Sequence, residues 1–333
     1  MDLLLPISLQ SLPVTIDYRD RIMLIGSCFT EHIGHSLQEL KFSVQQNPNG
    51  IVYDPASIAD CLVSYIHDRR YCEKDLFYYN EVWQSWKHHS RFSGTDKATV
   101  LSAINQSQES AHRFLKEAQW LILTPGTAFS YQLTSAAVLA TGGQQDEGVA
   151  NCHKAPKLWF NKHLLTIEEI NSALDNCIHQ LFRFNPNVKI IFTVSPVRHI
   201  RDGIVENNRS KARLLEVIHH LVNKFDRLYY FPAYELVIDV LRDYRFYDTD
   251  MVHPGKQAVQ YVFEQFMQYC VNESSQQLAA TIQKLITARN HRAFQPATDA
   301  HKKFLQANRQ KVAELQQQYP FLDLAEELHY FSK

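Results

Sequence analysis

The chain has 333 residues, enough for roughly two domains or one large one. Lys plus Arg (34) against Asp plus Glu (35) leaves a formal charge of −1, which argues against the basic face of a nucleic-acid-binding protein. Hydrophobic residues at 45% and charged residues at 21% exclude a disordered chain, and no apolar run approaches the roughly 18 residues of a membrane span.

The N-terminus runs Leu3-Leu-Leu5 into Pro6 with no basic flank and no long apolar core, so no signal peptide is expected. Six cysteines without a CxxC pair read as free thiols rather than a disulfide scaffold. Both readings predict a cytoplasmic protein without membrane association.

The first predicted element is Arg21-Ile-Met-Leu-Ile-Gly26, a short strand buried on both faces. A tight turn through Ser27-Cys28-Phe29 leads into a helix over Thr30–Leu40, with Ile33, Leu37 and Leu40 at helical spacing. A second strand is expected near Phe42–Val44, then a turn at Asn47-Pro-Asn-Gly50. Asp54-Pro55 is a helix start, Asp as N-cap and Pro at the first helical position.

The aromatic stretch 76–92 predicts a hairpin around Asn80-Glu81. Its rings suit cross-strand packing, with a sugar platform as the alternative. A helix over 96–118 and a buried strand over Trp120–Thr124 follow. Thr134–Val149, with Gly142-Gly143, reads as a loop or a hairpin with a long tip. Thr166-Ile-Glu-Glu169 is a capping box opening a helix to about Phe182. A strand over Val188–Val194, a helix over about Asn208–Phe225 and a short strand over Leu228–Phe231 come next. After Pro254-Gly255, Val259, Val262, Phe263, Phe266 and Cys270 form one apolar helix face. From about Ser274 the chain is helical and polar, interrupted at Pro296 and Pro320.

This alternation predicts an α/β fold with a mostly parallel sheet and helices on both faces. The domains expected are 1–273 and a helical C-terminal extension, 274–333, which packs on the main domain or on a partner, a second copy of the chain included.

In such sheets ligands gather at the carboxyl ends of the strands. Ser27 stands between a strand's end and a helix's start, where backbone amides and the helix dipole favour an oxyanion. A serine there is commonly just an N-cap. A nucleophilic serine also needs a base, and Asp250-Met-Val-His253 supplies an imidazole with a carboxylate three residues before it to orient it. Cys28 is the rival nucleophile, and core packing is the role expected of it. His88-His89, His153 and His199 lack metal-ligand spacing, so neither metal nor cofactor is expected. Arg198 offers a planar fork for a substrate anion or for an acidic side chain, and His89 a polar lining to an acyl pocket.

The order of these pieces resembles the SGNH, or GDSL-like, hydrolases. Gly26-Ser-Cys-Phe-Thr30, Asn47-Pro-Asn-Gly-Ile-Val-Tyr53, His88-His-Ser90, Asn151-Cys-His-Lys154, Ser195-Pro-Val-Arg-His199 and Leu241–Tyr247 running into Asp250–Pro254 resemble the GSCFA family within that group. Thr30 stands where the family name has Ala. The resemblance covers roughly residues 20–270. It implies a three-layer α/β/α, flavodoxin-like SGNH fold and esterase or acyl-transfer chemistry without a metal. Carried over, Ser27 is the nucleophile, His253 the base and Asp250 its orienter, and Gly50 joins Ser27 in the oxyanion hole. The usual Gly-x-Asn is absent: Gly126-Thr-Ala128 stands there, leaving Thr127, Asn151 and His153 as candidate donors. The substrate expected is a small ester, an acylated sugar among the options. Two non-catalytic readings stand beside the enzyme: a binding protein on a degenerate hydrolase scaffold, and a structural partner docking through 275–333.

Overall fold

The structure is a computed structural model that describes residue 5, residues 7–291 and residues 294–332. Leu3, Leu4 and Pro6 of the N-terminal run lie outside these residues. No helix among the described residues is long and apolar enough to cross a membrane.

Five strands form the central sheet: β1 (Arg21–Gly26), β2 (Ser43–Gln46), β5 (Trp120–Thr124), β8 (Lys189–Phe192) and β9 (Leu228–Tyr230). Two antiparallel ribbons flank it, β3 (Phe77–Tyr79) with β4 (Val82–Gln84) and β6 (Phe129–Leu133) with β7 (Phe160–Leu164). The helices are α1 (Cys28–Glu39), α2 (Pro55–Ile66), α3 (Lys97–Glu117), α4 (Ser135–Thr141), α5 (Ile167–Phe184), α6 (Ile204–Lys224), α7 (Ala233–Glu235), α8 (Lys256–Cys270), α9 (Glu273–Asn290), α10 (Asp299–Gln318) and α11 (Ala325–Phe331).

The sheet order is β2-β1-β5-β8-β9 and every pairing in it is parallel. Renumbered within the sheet this is 2-1-3-4-5, the flavodoxin-like doubly wound order, whose topological switch lies between β1 and β5. Alternation along each strand sends side chains to opposite faces. Ile22, Leu24, Trp120, Ile122 and Ile191 pack with α1, α8 and α9. Met23, Ile25, Leu121, Leu123, Ile190 and Phe192 pack with α2, α3, α5 and α6. The result is the expected three-layer α/β/α fold. The C-terminal helices join the first of these cores: Leu278, Ala279, Ile282 and Leu285 of α9 share it with Val312 of α10 and Phe331 of α11. Glu327, fully buried, is held there by Lys41 and by Arg289.

Two segments differ from the sequence reading. Residues 134–149 hold a helix, α4, rather than only a loop: the Thr134 hydroxyl caps its start by accepting from Ala137 N–H, and Gly142, at φ 75°, ends it. The β6–β7 ribbon was absent from that reading, because its partners lie about thirty residues apart and only Phe129-Ser-Tyr-Gln-Leu133 shows the period-two pattern.

Candidate active site

Gly26 ends β1 where the chain must pass very close to β5. A Cβ placed there would lie 2.3 Å from Thr124 O, and φ is +152°, so glycine is required. Its N–H donates to Asn47 Oδ1 at 2.9 Å and its carbonyl accepts from Val52 N–H at 3.1 Å. Asn47, fully buried, therefore braces the strand end from the second loop.

Ser27 follows as the N-cap of α1, in extended conformation, yet its side chain makes no capping bond. The residue is 1% exposed and its Oγ has no hydrogen-bond partner among the described residues. The N-cap role common for such a serine is thus not the one this hydroxyl plays. A buried orphan hydroxyl is uncommon and calls for an explanation. The helix begins one residue later, without the turn expected through 27–29, and this reverses the expected exposures. Cys28 is not core: it is half-buried and lines a cavity, while Ser27 sits behind it. Burial, foremost, raises the Cys28 pKa, which keeps the thiol protonated and argues against it as nucleophile.

That cavity has a volume of about 450 Å³, and Tyr53, Thr127, Asn151, Arg198 and His253 share its walls with Cys28. Gly126 ties it to the serine: a Cβ there would stand 3.4 Å from Ser27 Cβ and 3.6 Å from Tyr53 Cδ1. His253 lies in a loop closed by the Tyr247–Pro254 bridge and by Asp248 N–H to His253 O at 2.8 Å. Asp250 Oδ2 accepts from His253 Nδ1 at 2.6 Å, and Oδ1 accepts the N–H groups of Val252 (2.9 Å) and His253 (3.0 Å). Those donors, the His253 amide first, hold the Asp250 carboxyl down to about 2. With Nδ1–H on Asp250, Nε2 is left as the acceptor, the tautomer a general base needs. His253 also reaches α1 electrostatically: the pKa of His32, lowered by burial first and by His35, is lowered further by His253.

His253 lines this cavity, whereas Ser27 lies behind its wall, and Ser27 Oγ makes no hydrogen bond to His253 or to any other described residue. The two expected oxyanion amides are engaged elsewhere. Ser27 N–H donates to Thr124 O at 3.1 Å, and Gly50 N–H donates to Asn47 O at 2.7 Å, closing the Asn47–Gly50 turn. Gly50, at φ +84°, lets His89 approach, for a Cβ there would meet His89 Cβ at 2.1 Å. His89 Nδ1 accepts from Arg91 N–H at 3.2 Å, and His89 is not part of the cavity wall.

The three candidates for the missing donor separate clearly. Thr127 Oγ1 is bound to Ser210 Oγ (3.1 Å) and to Phe129 N–H (3.1 Å). His153 is buried outside the cavity, its Nε2 on Ser85 O at 2.8 Å. Asn151 lines the cavity with Oδ1 accepting from His153 N–H at 2.8 Å, and its Nδ2 makes no hydrogen bond among the described residues. His88 is buried and held neutral, pushed down to about 3, chiefly by burial. No group of three or more His, Cys, Asp or Glu among the described residues is placed to hold a metal ion. The aromatic hairpin packs on itself, Phe77 stacked on Trp86 at 3.7 Å with both rings buried, so those two rings form no sugar platform.

Sequence reasoning missed Lys211. It lies on α6 in register with Asn207, Leu214, Ile218 and Leu221, all buried, so a polar residue in a core stripe was the available signal. Lys211 is 2% exposed, and its Nζ donates to Gly126 O at 2.6 Å and Ser195 O at 2.5 Å, joining the segments that follow β5 and β8.

The chain matches the model of the GSCFA family over residues 21–266, and the model described as GSCFA domain protein, C-terminal domain, over residues 282–333. Curated proteins give no match. Among solved structures it is similar to a Clostridium thermocellum family 3 carbohydrate esterase, at 11% identity and a TM-score of 0.35, over 79% of this chain and 99% of that one. It is also similar to an acetyl xylan esterase (Est2A) from the rumen bacterium Butyrivibrio proteoclasticus, at 10% identity and a TM-score of 0.33, over 78% of this chain and 64% of that one. With a family model spanning the whole sheet from β1 through α6 and most of α8, the chain belongs to the GSCFA family.

Proposed function

We propose that the protein is a serine esterase or acyltransferase acting on a small ester, an O-acyl sugar among its candidate substrates. The observation that carries this reading is the Ser27 hydroxyl: buried at the sheet's switch point, in N-cap position but not capping, and unpartnered behind the wall of a cavity lined by His253, which Asp250 orients. On substrate binding, Ser27 Oγ bonds to the ester carbonyl carbon as its proton passes to His253 Nε2. The tetrahedral oxyanion is held by the Cys28 and Phe29 amides at the start of α1, since Thr30 N–H already donates to Ser27 O at 2.9 Å, and by Asn151 Nδ2. Collapse breaks the ester C–O bond, and the leaving alcohol takes the proton from His253. Water or a second hydroxyl then accepts the acyl group by the reverse steps, and that acceptor alone separates hydrolase from transferase. Asp250 remains ionised throughout and stabilises the imidazolium. The bond between Ser27 and His253, absent in the free protein, is expected to form in the Michaelis complex.

A fluorophosphonate probe is the direct test. Wild-type protein is expected to label stoichiometrically and Ser27→Ala not at all. Absence of label from both favours a binding protein on a degenerate scaffold, a reading that the engaged Ser27 and Gly50 amides support. Asn151→Ala is expected to lower kcat for 4-nitrophenyl acetate about 10²-fold with KM little changed, the usual effect of removing one oxyanion donor. An unchanged kcat would remove Asn151 from the oxyanion site.

A further inference from the structure

Two guanidinium groups in the cavity wall, Arg198 and Arg201, stand without an ion-pair partner among the described residues. Arg198 follows β8, is half-buried, and lies with Cζ 5.0 Å from the centroid of the Tyr247 ring. Arg201, three residues on, is exposed and lines the same cavity. Neither makes an ion pair among the described residues. Three carboxylates nearby already have partners: Asp202 pairs with Lys162 and lies 3.3 Å from His199 Nδ1, Asp250 holds His253, and Asp54 caps α2 through Ser57 N–H at 3.0 Å. Asp239, whose charge reaches Tyr234 and Tyr247 as that of Arg198 does, makes no ion pair with Arg198. Among the described residues Asp54 is the one carboxylate lining the cavity, and it is 5% exposed. Tyr247 presents a ring that pre-orients the Arg198 fork, lowering the entropy lost when the fork binds. The Arg198 amide donates to Val252 O at 3.2 Å, and Val252 immediately precedes His253. An anion bound at Arg198 therefore lies in the cavity that His253 lines.

We propose that the substrate is an anionic ester, whose carboxylate or phosphate group is held by Arg198 and Arg201 in the cavity that contains His253. The identification of this cavity as the reaction site rests on the serine-hydrolase reading above, whereas anion binding does not depend on turnover.

The test uses the full chain carrying Ser27→Ala, titrated calorimetrically with succinate, with inorganic phosphate and with neutral succinamide. Succinate or phosphate is expected to bind and succinamide not, the tighter anion naming the group. Adding Arg201→Gln, an exposed position, is expected to weaken that binding about tenfold or more, the loss of a charge-assisted contact. Arg198→Gln is expected to do the same or more. Binding of neither anion, or undiminished binding in the Arg201→Gln protein, overturns the inference. The two readings fail separately: label on Ser27 without anion binding keeps the hydrolase and discards the anion site, and anion binding without label does the reverse.

Discussion

Ser27→Ala is expected to abolish esterase turnover and at the same time to raise stability. On the proposed mechanism the first effect is large because the serine and its base would act as a unit, and removing such a nucleophile costs about 10⁴-fold or more in kcat. The second distinguishes this serine from an ordinary helix cap. Replacing a capping serine by alanine destabilises by about 1 kcal/mol. Here the hydroxyl makes no capping bond and is buried with no partner, so the wild-type protein bears a desolvation penalty of about 1–3 kcal/mol that alanine removes. Urea denaturation of the two proteins should show a higher midpoint for Ser27→Ala at an unchanged m-value. A lower midpoint, with the enzyme still turning over, would mean that the hydroxyl serves the helix and that another group is the nucleophile. Asp250→Asn belongs to the same series. It leaves the loop's two backbone donors an acceptor but withdraws the charge that stabilises the imidazolium. Its effect should fall short of that of Ser27→Ala, because the pair is about half exposed and water screens it.

What the sequence made legible was the frame of the site. Ile22–Ile25, Trp120–Leu123 and Ile190–Phe192 are short apolar runs without alternation, and at this length between turn signals they read as parallel strands covered on both faces. Asp54 before Pro55 and Thr166 before Glu169 carry their own capping chemistry, so α2 and α5 start where local rules place them. The failures lie where a residue's role depends on an approach between distant segments. Whether Ser27 or Cys28 faces the cavity depends on α1 starting directly at Cys28, which follows from β1 and β5 meeting at Gly26 and Thr124. The family resemblance makes Gly50 an oxyanion donor. Its amide is instead taken by Asn47, and its missing side chain makes room for His89, 39 residues away. Asn151 could be no more than one of three candidates, since its value depends on His153 N–H holding Oδ1 and leaving Nδ2 over.

Lys211→Met is expected to destabilise the protein by an amount that grows with pH. The lysine is buried with two carbonyl oxygens as acceptors, Gly126 O and Ser195 O. Burial pulls its ammonium down to about 7, with Cys28 pulling weakly the other way. In the unfolded chain the amine titrates near its ordinary 10.5. Between about 7 and 10.5 the unfolded state therefore binds the extra proton, and wild-type stability gains roughly 1 kcal/mol per pH unit from this group. Below about 7 both states are protonated and that gain is absent. Methionine carries no proton in either state, so the gap between wild type and variant should widen from pH 7 to pH 9. Two buried carbonyls that lose their donor add a pH-independent loss of about 1–3 kcal/mol each. Cys61 and Cys177, each pushed up to about 12, pull wild-type and variant stability down together above their ordinary 9, so the difference between the two proteins is the quantity to measure. The same substitution should slow fluorophosphonate labelling, because Gly126 packs against Ser27 and is fixed by this ammonium. Parallel stability curves from pH 6 to pH 9 would show that Lys211 stays charged in its buried site, held by the carbonyls. Unaltered labelling would show that the Gly126 segment keeps its place beside Ser27 without the lysine.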